Sequence, residues 1–426
     1  MNTNLGHIDV AILGAGVAGL AAAKKAKQLN LAAKVFEASN SIGGLLDNYT
    51  INGYRFDNAV HLSFANEPEV RSVFDTAGYY SHPSDSYCFD HDRWLKHPVQ
   101  NNLARLDVDT KVELIKSFVD RQDVMQDDNY EQWLRHQYGD AISERYPIKY
   151  TKKYWQHDAK ELSTTWIGNR MRRAEIDEIL RGSYTDDTPN TYYTKEMRYP
   201  KKGGFKSFLA PLAESADVLL NHKVTKIDLG KNILHFSNGC FISFGKLVSS
   251  IPLPTIIDCL GTQVPNEVLE ATQQLKSTSI DLISVGFNET IIKDLWFYIY
   301  DNDILASRAY SPSQKSSDNV PQGCSSLQFE IYNPGRQSQY TPDELKENVS
   351  YALEKMGISD GKNVEFIHHK HIPWGNVIFT LGMENHRDKV LAFLSEQKIA
   401  SVGRFGEWEY FWSNQSFLSG FNWDKL

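Results

Sequence analysis

The sequence predicts an α/β protein. Its ligand-binding domain is discontinuous, and a helical and mixed α+β substrate domain is inserted between the pieces. Three observations carry this. Residues 10–20, VAILGAGVAGL, join an apolar run to a glycine turn and a helical stretch. Residues 33–37 form a second apolar run that closes on Glu37. Residues 399–420 return near the far end with another apolar run, the turn Gly403-Arg404-Phe405-Gly406 and a polar helix entry.

Residues 8–13 and 33–37 are expected as neighbouring parallel strands, because a helical stretch beginning near Gly16 supplies the crossover that parallel pairing needs. Gly14, Gly16 and Gly19, with Ala15, Val17 and Ala18 between them, give the GxGxxG spacing of a Rossmann-like dinucleotide turn. The first glycine permits a tight turn, the second admits a pyrophosphate to the backbone, and the third lets helix and strand pack closely. The helix N-terminus offers unpaired N–H groups to an anion. Glu37, followed by Ala38, can hold a ribose hydroxyl pair. A lone GxGxxG is weak evidence; here strand, helix, strand and acid stand in order.

After Glu37 comes SNSIGGLL, residues 39–46, with a further turn at Gly43-Gly44-Leu45, and then GYRFDNAVH, residues 53–61. The glycine pair resembles the second pyrophosphate-side turn of the FAD-dependent amine oxidase/protoporphyrinogen oxidase superfamily. The 53–61 stretch resembles, more narrowly, the flavin-approaching segment of UDP-galactopyranose mutase-like flavoproteins. That resemblance implies FAD as cofactor and His61 beside the isoalloxazine; a hydrogen-bonded loop histidine is the alternative.

The global figures narrow the classes. The chain has 426 residues, 41% hydrophobic and 23% charged, with a formal charge of -8. It is long enough for two or three domains, and the acidic balance argues against a nucleic-acid surface. Cys88, Cys240, Cys259 and Cys324 are scattered, with neither metal-ligand nor disulfide spacing. No secretory leader pattern or membrane-length apolar run is present. The expected location is the cytoplasm, with attachment to the inner face of a membrane left open.

In chain order, 1–66 reads as the first part of the FAD-binding domain, and 67–198 as a mainly helical substrate or cap region. In the latter a helix is expected near 67–80, then the Pro-Gln-Asn segment opened by Trp94, then helices over 110–180. Val112, Leu114, Ile115 and Phe118 suggest one apolar stripe, and Trp133, Leu134 and Tyr138 another. Between 145 and 155, cationic and aromatic residues interleave. Tyr150 and Trp155 are candidate nucleotide or sugar walls, or else aromatics facing inward from a helix. In the run 166–173, Arg170 is a candidate phosphate contact, or part of a charged helix surface.

Residues 199–264 read as the second part of the FAD domain. The resemblance places Val224 near the adenine edge. Residues 265–380 read as a mixed α+β substrate domain with strands at 282–287, 295–300 and 325–332. There Arg308 is a second candidate phosphate contact, with a surface ion pair as the alternative, and Tyr310 a wall residue. Residues 311–323 suggest a loop able to gate access. Thr341, Pro342 and Asp343-Glu344 announce a helix start. The histidines at 368, 369 and 371 suggest a strand or surface cluster rather than a metal centre. Residues 381–426 close the FAD domain. By the resemblance, Gly403, Arg404 and the helix entry Asn414-Gln415-Ser416 serve the cofactor.

The resemblance implies a redox-neutral isomerisation of a nucleotide-linked sugar with FADH2 as the working cofactor, its N5 serving as the nucleophile. Arg170 and Arg308 would clamp phosphate, and His61 would orient the flavin. NAD(P)H or a reductase is the implied reductant, and a homodimer the implied assembly. Two alternatives stand: an FAD-dependent oxidoreductase of a modified sugar, amine or polyene, and a non-enzymatic FAD-binding protein.

Overall fold

The computed structural model describes residues 3–122, 127–168, 170, 171, 174–190 and 196–425. Its first sheet holds the glycine turn. The strand Thr3–Leu13 lies between Cys240–Ser249 and Ala33–Phe36, parallel to both, with Ile12 level with Val248 and Val35. Val218–Leu219 adds the outer strand on one side. Ile233–Phe236, Val224–Asp228 and Ile399–Ser401 extend the sheet from Cys240–Ser249 on the other. The first strand starts at Thr3, earlier than its apolar run. Residues 10–13 are buried, whereas Thr3 to His7 are held by pairing with Cys240–Ser243. Hydrophobic pattern reports burial, and backbone pairing can outrun it.

The helix Val17–Gln28 buries Val17 to Ala23 and Ala26, and places Lys25 and Lys27 in its last turn, where the helix dipole favours cations. The terminal helix Ser413–Phe421 packs on its outer side.

The second sheet has the order Val364–Ile372, Thr278–Phe287, Ser325–Pro334, Arg308–Tyr310, Trp296–Ile299, Tyr87–Asp90 and Arg93–Lys96. The last two strands come from the stretch expected to be mainly helical. They form a hairpin whose turn residues His91 and Asp92 both adopt left-handed backbone, φ 50° and 60°. That is the geometry two-residue hairpins select, reached here without a glycine. Trp94 is therefore a strand residue, its indole N–H donating to the Met356 carbonyl at 3.1 Å.

Four helices of seven or more residues are described between residues 108 and 184: Val108–Val119, Tyr130–Tyr138, Lys149–Trp155 and Ile176–Tyr184. The apolar residues read as one stripe on the first of them divide. Leu114 and Phe118 enter the core, while Val112 faces out and Ile115 is half-buried. The 311–323 stretch is not the open loop that its composition suggests. It folds into the short helices Pro312–Lys315 and Ser317–Asn319, with Lys315 and Asn319 fully buried. Asn319 donates to the Pro312 carbonyl at 2.9 Å, and Lys315 pairs with Asp57. Pro342–Lys355 begins with the expected capping box between Thr341 and Glu344. His369 Nε2 and His371 Nδ1 both reach Asp281 Oδ1, at 2.7 and 2.8 Å, on the outermost strand. Among the described residues no helix is long and apolar enough to cross a membrane.

Candidate active site

A cavity of about 600 Å³ runs from the glycine turn to the second sheet. At its first end stand Gly14, Gly16, Val17 and Ala18, with Glu37 and Ala38 beside them and Gly43, Gly44 and Leu45 opposite. Gly14 has φ +95°, and a Cβ there would lie 2.5 Å from Ser250 Oγ. Gly16 begins the helix with no side-chain cap, so the first-turn N–H groups remain available to an anion. Gly19 does not line the cavity. A Cβ on it would lie 1.9 Å from the Gly14 carbonyl oxygen, so its task is close packing. Ala15 is buried behind the turn and donates its N–H to Glu37 Oε2 at 2.8 Å, while Ser39 N–H donates to Oε1 at 2.9 Å. The carboxylate that would meet a ribose is thereby oriented by backbone.

Val224, Gly403, Arg404 and Ser416 also line the cavity. Asn414 and Gln415 do not. Asn414 Nδ2 donates to Glu67 Oε1 at 2.9 Å, and Gln415 Oε1 accepts the Trp412 N–H at 2.9 Å, capping its own helix. An unpaired helix N-terminus, two glycine turns of close approach and an acceptor placed for hydroxyls together fit FAD.

His61 faces the middle of the cavity. Its Nδ1 lies 3.0 Å from the Ala59 carbonyl. A carbonyl only accepts, so Nδ1 carries the proton and Nε2 keeps a lone pair. Burial, with help from Lys315, pushes the imidazole down to about 3, so it is neutral near pH 7. The turn carrying it is held from the second sheet. Ala59 adopts φ +77°, Tyr310 donates toward the Asp57 and Ala59 carbonyls and Gln328, and Val60 N–H donates to the buried Glu330 at 2.7 Å.

At the far end Arg308, Tyr310, Tyr154, Tyr298, Tyr332 and Tyr410 form the wall. Arg308 pairs through Nε with Glu330 and donates from Nη2 to Tyr332 at 3.1 Å. Tyr410 lies between two guanidinium groups, those of Arg170 and Arg404, each 4.8 Å from its ring centre. Its hydroxyl is 2.9 Å from that of Tyr154, over whose ring Arg308 sits at 5.2 Å. Three arginines thus converge on one tyrosine pair.

Not all of the residues singled out from sequence reach the cavity. Arg170 stands behind Tyr410, donating to the carbonyls of Trp166 and Tyr410. Arg404, expected on the cofactor side, lines the cavity together with Arg308. Tyr150 packs on Tyr154 and Tyr298, and Trp155 packs among Tyr154, Trp166 and Tyr410, so both lie in the layer behind the wall. Tyr154 belongs to the cationic and aromatic run expected at 145–155, whereas Tyr298, Tyr332 and Tyr410 were not singled out as wall residues. The alternation of Trp296 and Tyr298 on a strand was the one usable signal.

A second buried histidine, His97, stacks on Tyr298 at 4.5 Å, and burial pushes it down to about 4. Both histidines resist protonation in the folded state relative to the ordinary value of about 6.5. Their contribution to stability is complete above pH 6.5. It is lost as pH falls toward 4 and then 3, by at most about 1.4 kcal/mol per pH unit for each. Urea midpoints between pH 7 and 4.5 should show this slope, and His97→Gln should flatten it.

The model of the family described as Flavin containing amine oxidoreductase matches residues 17–380. Protoporphyrinogen oxidase 2, chloroplastic/mitochondrial, of Arabidopsis thaliana is 34% identical over 110 residues, which are 26% of this chain and 21% of that protein. The matched segment thus spans about a fifth of that relative's length. Among solved structures, reduced UDP-galactopyranose mutase superposes with a TM-score of 0.90 at 23% identity, over 98% of this chain and 94% of that one. Putrescine oxidase bound to putrescine superposes with a TM-score of 0.69 at 14% identity, over 98% of each. An oxidoreductase from Methanosarcina mazei gives 0.64 at 14% identity, over 98% of this chain and 100% of that one. At these identities the structural likeness is one of fold.

Proposed function

The chain belongs to the Flavin containing amine oxidoreductase family and is a flavin-dependent enzyme, and from that premise we propose that it isomerises a nucleotide-linked sugar without net oxidation, with FAD in its reduced form. The observation that carries this is the pair Arg308 and Arg404, which line the cavity beside the Tyr154–Tyr410 pair. Guanidinium groups in the cavity lining suit a diphosphate and repel a protonated amine. Likeness of fold to UDP-galactopyranose mutase supports the same substrate class.

Reduced FAD, when bound, supplies an electron-rich nucleophile for the sugar carbon. The chain's own residues do the rest. Arg308 and Arg404 hold the diphosphate in the substrate and after it departs. Glu330 keeps the Arg308 guanidinium oriented. Tyr410 stays protonated, because burial raises its hydroxyl well above the ordinary value, and its hydroxyl bonds that of Tyr154. It can donate without carrying charge. The neutral His61 offers Nε2 as an acceptor. Reduction by NAD(P)H or a reductase, a cytoplasmic location with or without contact to the inner face of a membrane, and pairing of two copies belong to the same reading.

The test is a nucleotide-sugar panel assayed under dithionite, with furanose and pyranose products separated. Isomerisation is expected only with reduced enzyme. Arg308→Ala should lower kcat/KM by roughly 10²–10³, with flavin content unchanged. Oxidised sugar formed in step with flavin reduction, without any isomer, would sink the proposal in favour of a flavin-dependent oxidoreductase.

A further inference from the structure

The far end of the cavity changes character within two residues of Arg308. The strands Trp296–Ile299 and Arg308–Tyr310 are antiparallel, with Tyr298 level with Arg308 and Trp296 level with Tyr310. All four side chains line the cavity, while Phe297 and Ala309 between them turn into the core on the other face. The rung that carries the guanidinium and the rung that carries Trp296 are thus two residues apart, roughly 7 Å along the strands. Around the second rung the lining is apolar: Val60, Leu62, Phe64, Met197 and Trp412 join Trp296 there. Backbone pairing of Ser63 with Arg198, N–H to carbonyl at 2.8 and 3.0 Å, sets Leu62 and Phe64 beside Met197. Phe64 meets Trp412 edge-on, ring centres 5.4 Å apart. Of these six side chains only the two indoles carry a hydrogen-bonding atom. Tyr310 already commits its hydroxyl proton within the protein, toward Gln328 and the Asp57 and Ala59 carbonyls.

We infer that this apolar wall is a specificity pocket for a methyl group on the sugar, carried on a deoxy carbon or an acyl cap, where a plain hexose presents a hydroxyl. The inference rests on the proposed nucleotide-sugar chemistry and says which sugars it admits. With the diphosphate held at Arg308, the attached sugar reaches one rung further along the same ladder and meets the wall. A hydroxyl placed there gives up its bonds to water and finds little in exchange. A methyl group gives up no bond and withdraws apolar surface from water. Two features assign the wall to the substrate. It stands on the Arg308 ladder, at the end of the cavity away from the Gly14 turn and Glu37. And Val60, Leu62, Phe64 and Trp412 keep part of their surface uncovered although Met197 and Trp296 behind them are buried. Apolar surface left open inside a cleft, beside a few fixed polar groups, is the usual make-up of a ligand pocket.

The experiment offers the holoenzyme three UDP conjugates, those of galactose, 6-deoxygalactose and N-acetylgalactosamine. Dissociation constants come from quenching of tryptophan fluorescence, and kcat/KM from isomer formation under dithionite. At least one methyl-bearing sugar should be preferred to galactose roughly tenfold or more by both measures. Phe64→Ser should bring that ratio close to one with flavin content and spectrum unaltered, whereas Phe64→Leu, still apolar, should keep most of it. Val60→Thr, which adds a hydroxyl and hardly changes shape, should lower the ratio as well. Equal constants for the three sugars overturn the inference, and so does a preference that survives both Phe64→Ser and Val60→Thr. Loss of flavin from these variants with the preference intact gives the wall to the cofactor and overturns it too. Selective binding without any isomer supports the pocket and sinks the isomerase proposal; isomerisation of all three sugars at equal kcat/KM does the reverse. Binding of none overturns both.

Discussion

Replacing Asp57 by alanine should destabilise the protein by about 3–5 kcal/mol, the usual cost of stripping a buried ion pair of one partner. Asp57 and Lys315 are both buried, with Lys315 Nζ 3.5 Å from the carboxylate and 3.9 Å from the centre of the Tyr310 ring. The carboxylate also accepts from Tyr199 at 2.7 Å and from Phe205 N–H at 3.0 Å. Without it the lysine keeps ring faces and only the charge of Glu330, which is already paired with Arg308. Asp57→Asn should cost less, because the amide oxygen can keep one of those bonds. The pair Asp57→Asn/Lys315→Met should recover much of the loss, since the stranded charge is then gone. Burial, opposed by Asp57, lowers Lys315 to about 8. The folded state thus sheds its proton before the unfolded chain does, near 10.5. Stability should rise as pH goes from about 8 to 10.5, and Lys315→Met should abolish that rise. Urea titrations of the five proteins at pH 7 and pH 10 test each statement. Equal midpoints for wild type and Asp57→Ala would falsify the account.

The same pair explains where sequence reasoning stopped. The turn at Gly14, the crossover and Glu37 were legible because each is local: neighbours in sequence make the structure, and the glycines are required by backbone contact. The 311–323 stretch looked like solvent-exposed loop because its composition is polar. Its burial depends on Asp57, some 250 residues earlier, and no local pattern carries that information. The hairpin Tyr87–Lys96 was hidden for another reason: its turn uses His91 and Asp92 where asparagine and glycine are the usual signal. The arginines failed in a third way. Both Arg170 and Arg404 flank Tyr410, and which one reaches the cavity depends on the fold of residues 408–412 rather than on either neighbourhood. Helical period had the converse fault at 112–118, where apolar residues on two different sides of one helix merged into a single stripe.

Gly420→Val should empty the cofactor site. The C-terminal helix crosses the first turn of the helix Val17–Gln28 at this residue, and a Cβ on Gly420 would lie 2.0 Å from the Ala18 carbonyl oxygen and 2.7 Å from its carbon. Both are backbone atoms of the turn that lines the cavity, so no side chain can swing aside. Gly403 meets the same residue, its Cβ position 2.5 Å from that of Ala18, and its N–H donates to Ser419 Oγ at 2.6 Å. Valine must therefore either lift the terminal helix, carrying Ser416 and Gly403 away, or displace the first-turn N–H groups meant for an anion. Forcing bulk into such a contact typically costs about 1–3 kcal/mol in stability. The larger effect falls on binding, because every donor to the diphosphate end moves together; flavin affinity should drop by roughly a hundredfold or more. Gly230→Val is the control, since a Cβ there makes only an ordinary contact, 3.6 Å from Asp228 Oδ1. Flavin-to-protein absorbance ratios of the purified variants, followed by titration of the apoproteins with FAD, separate the two. Retention of a full complement of flavin by Gly420→Val would mean that the two helices are not wedged at this glycine.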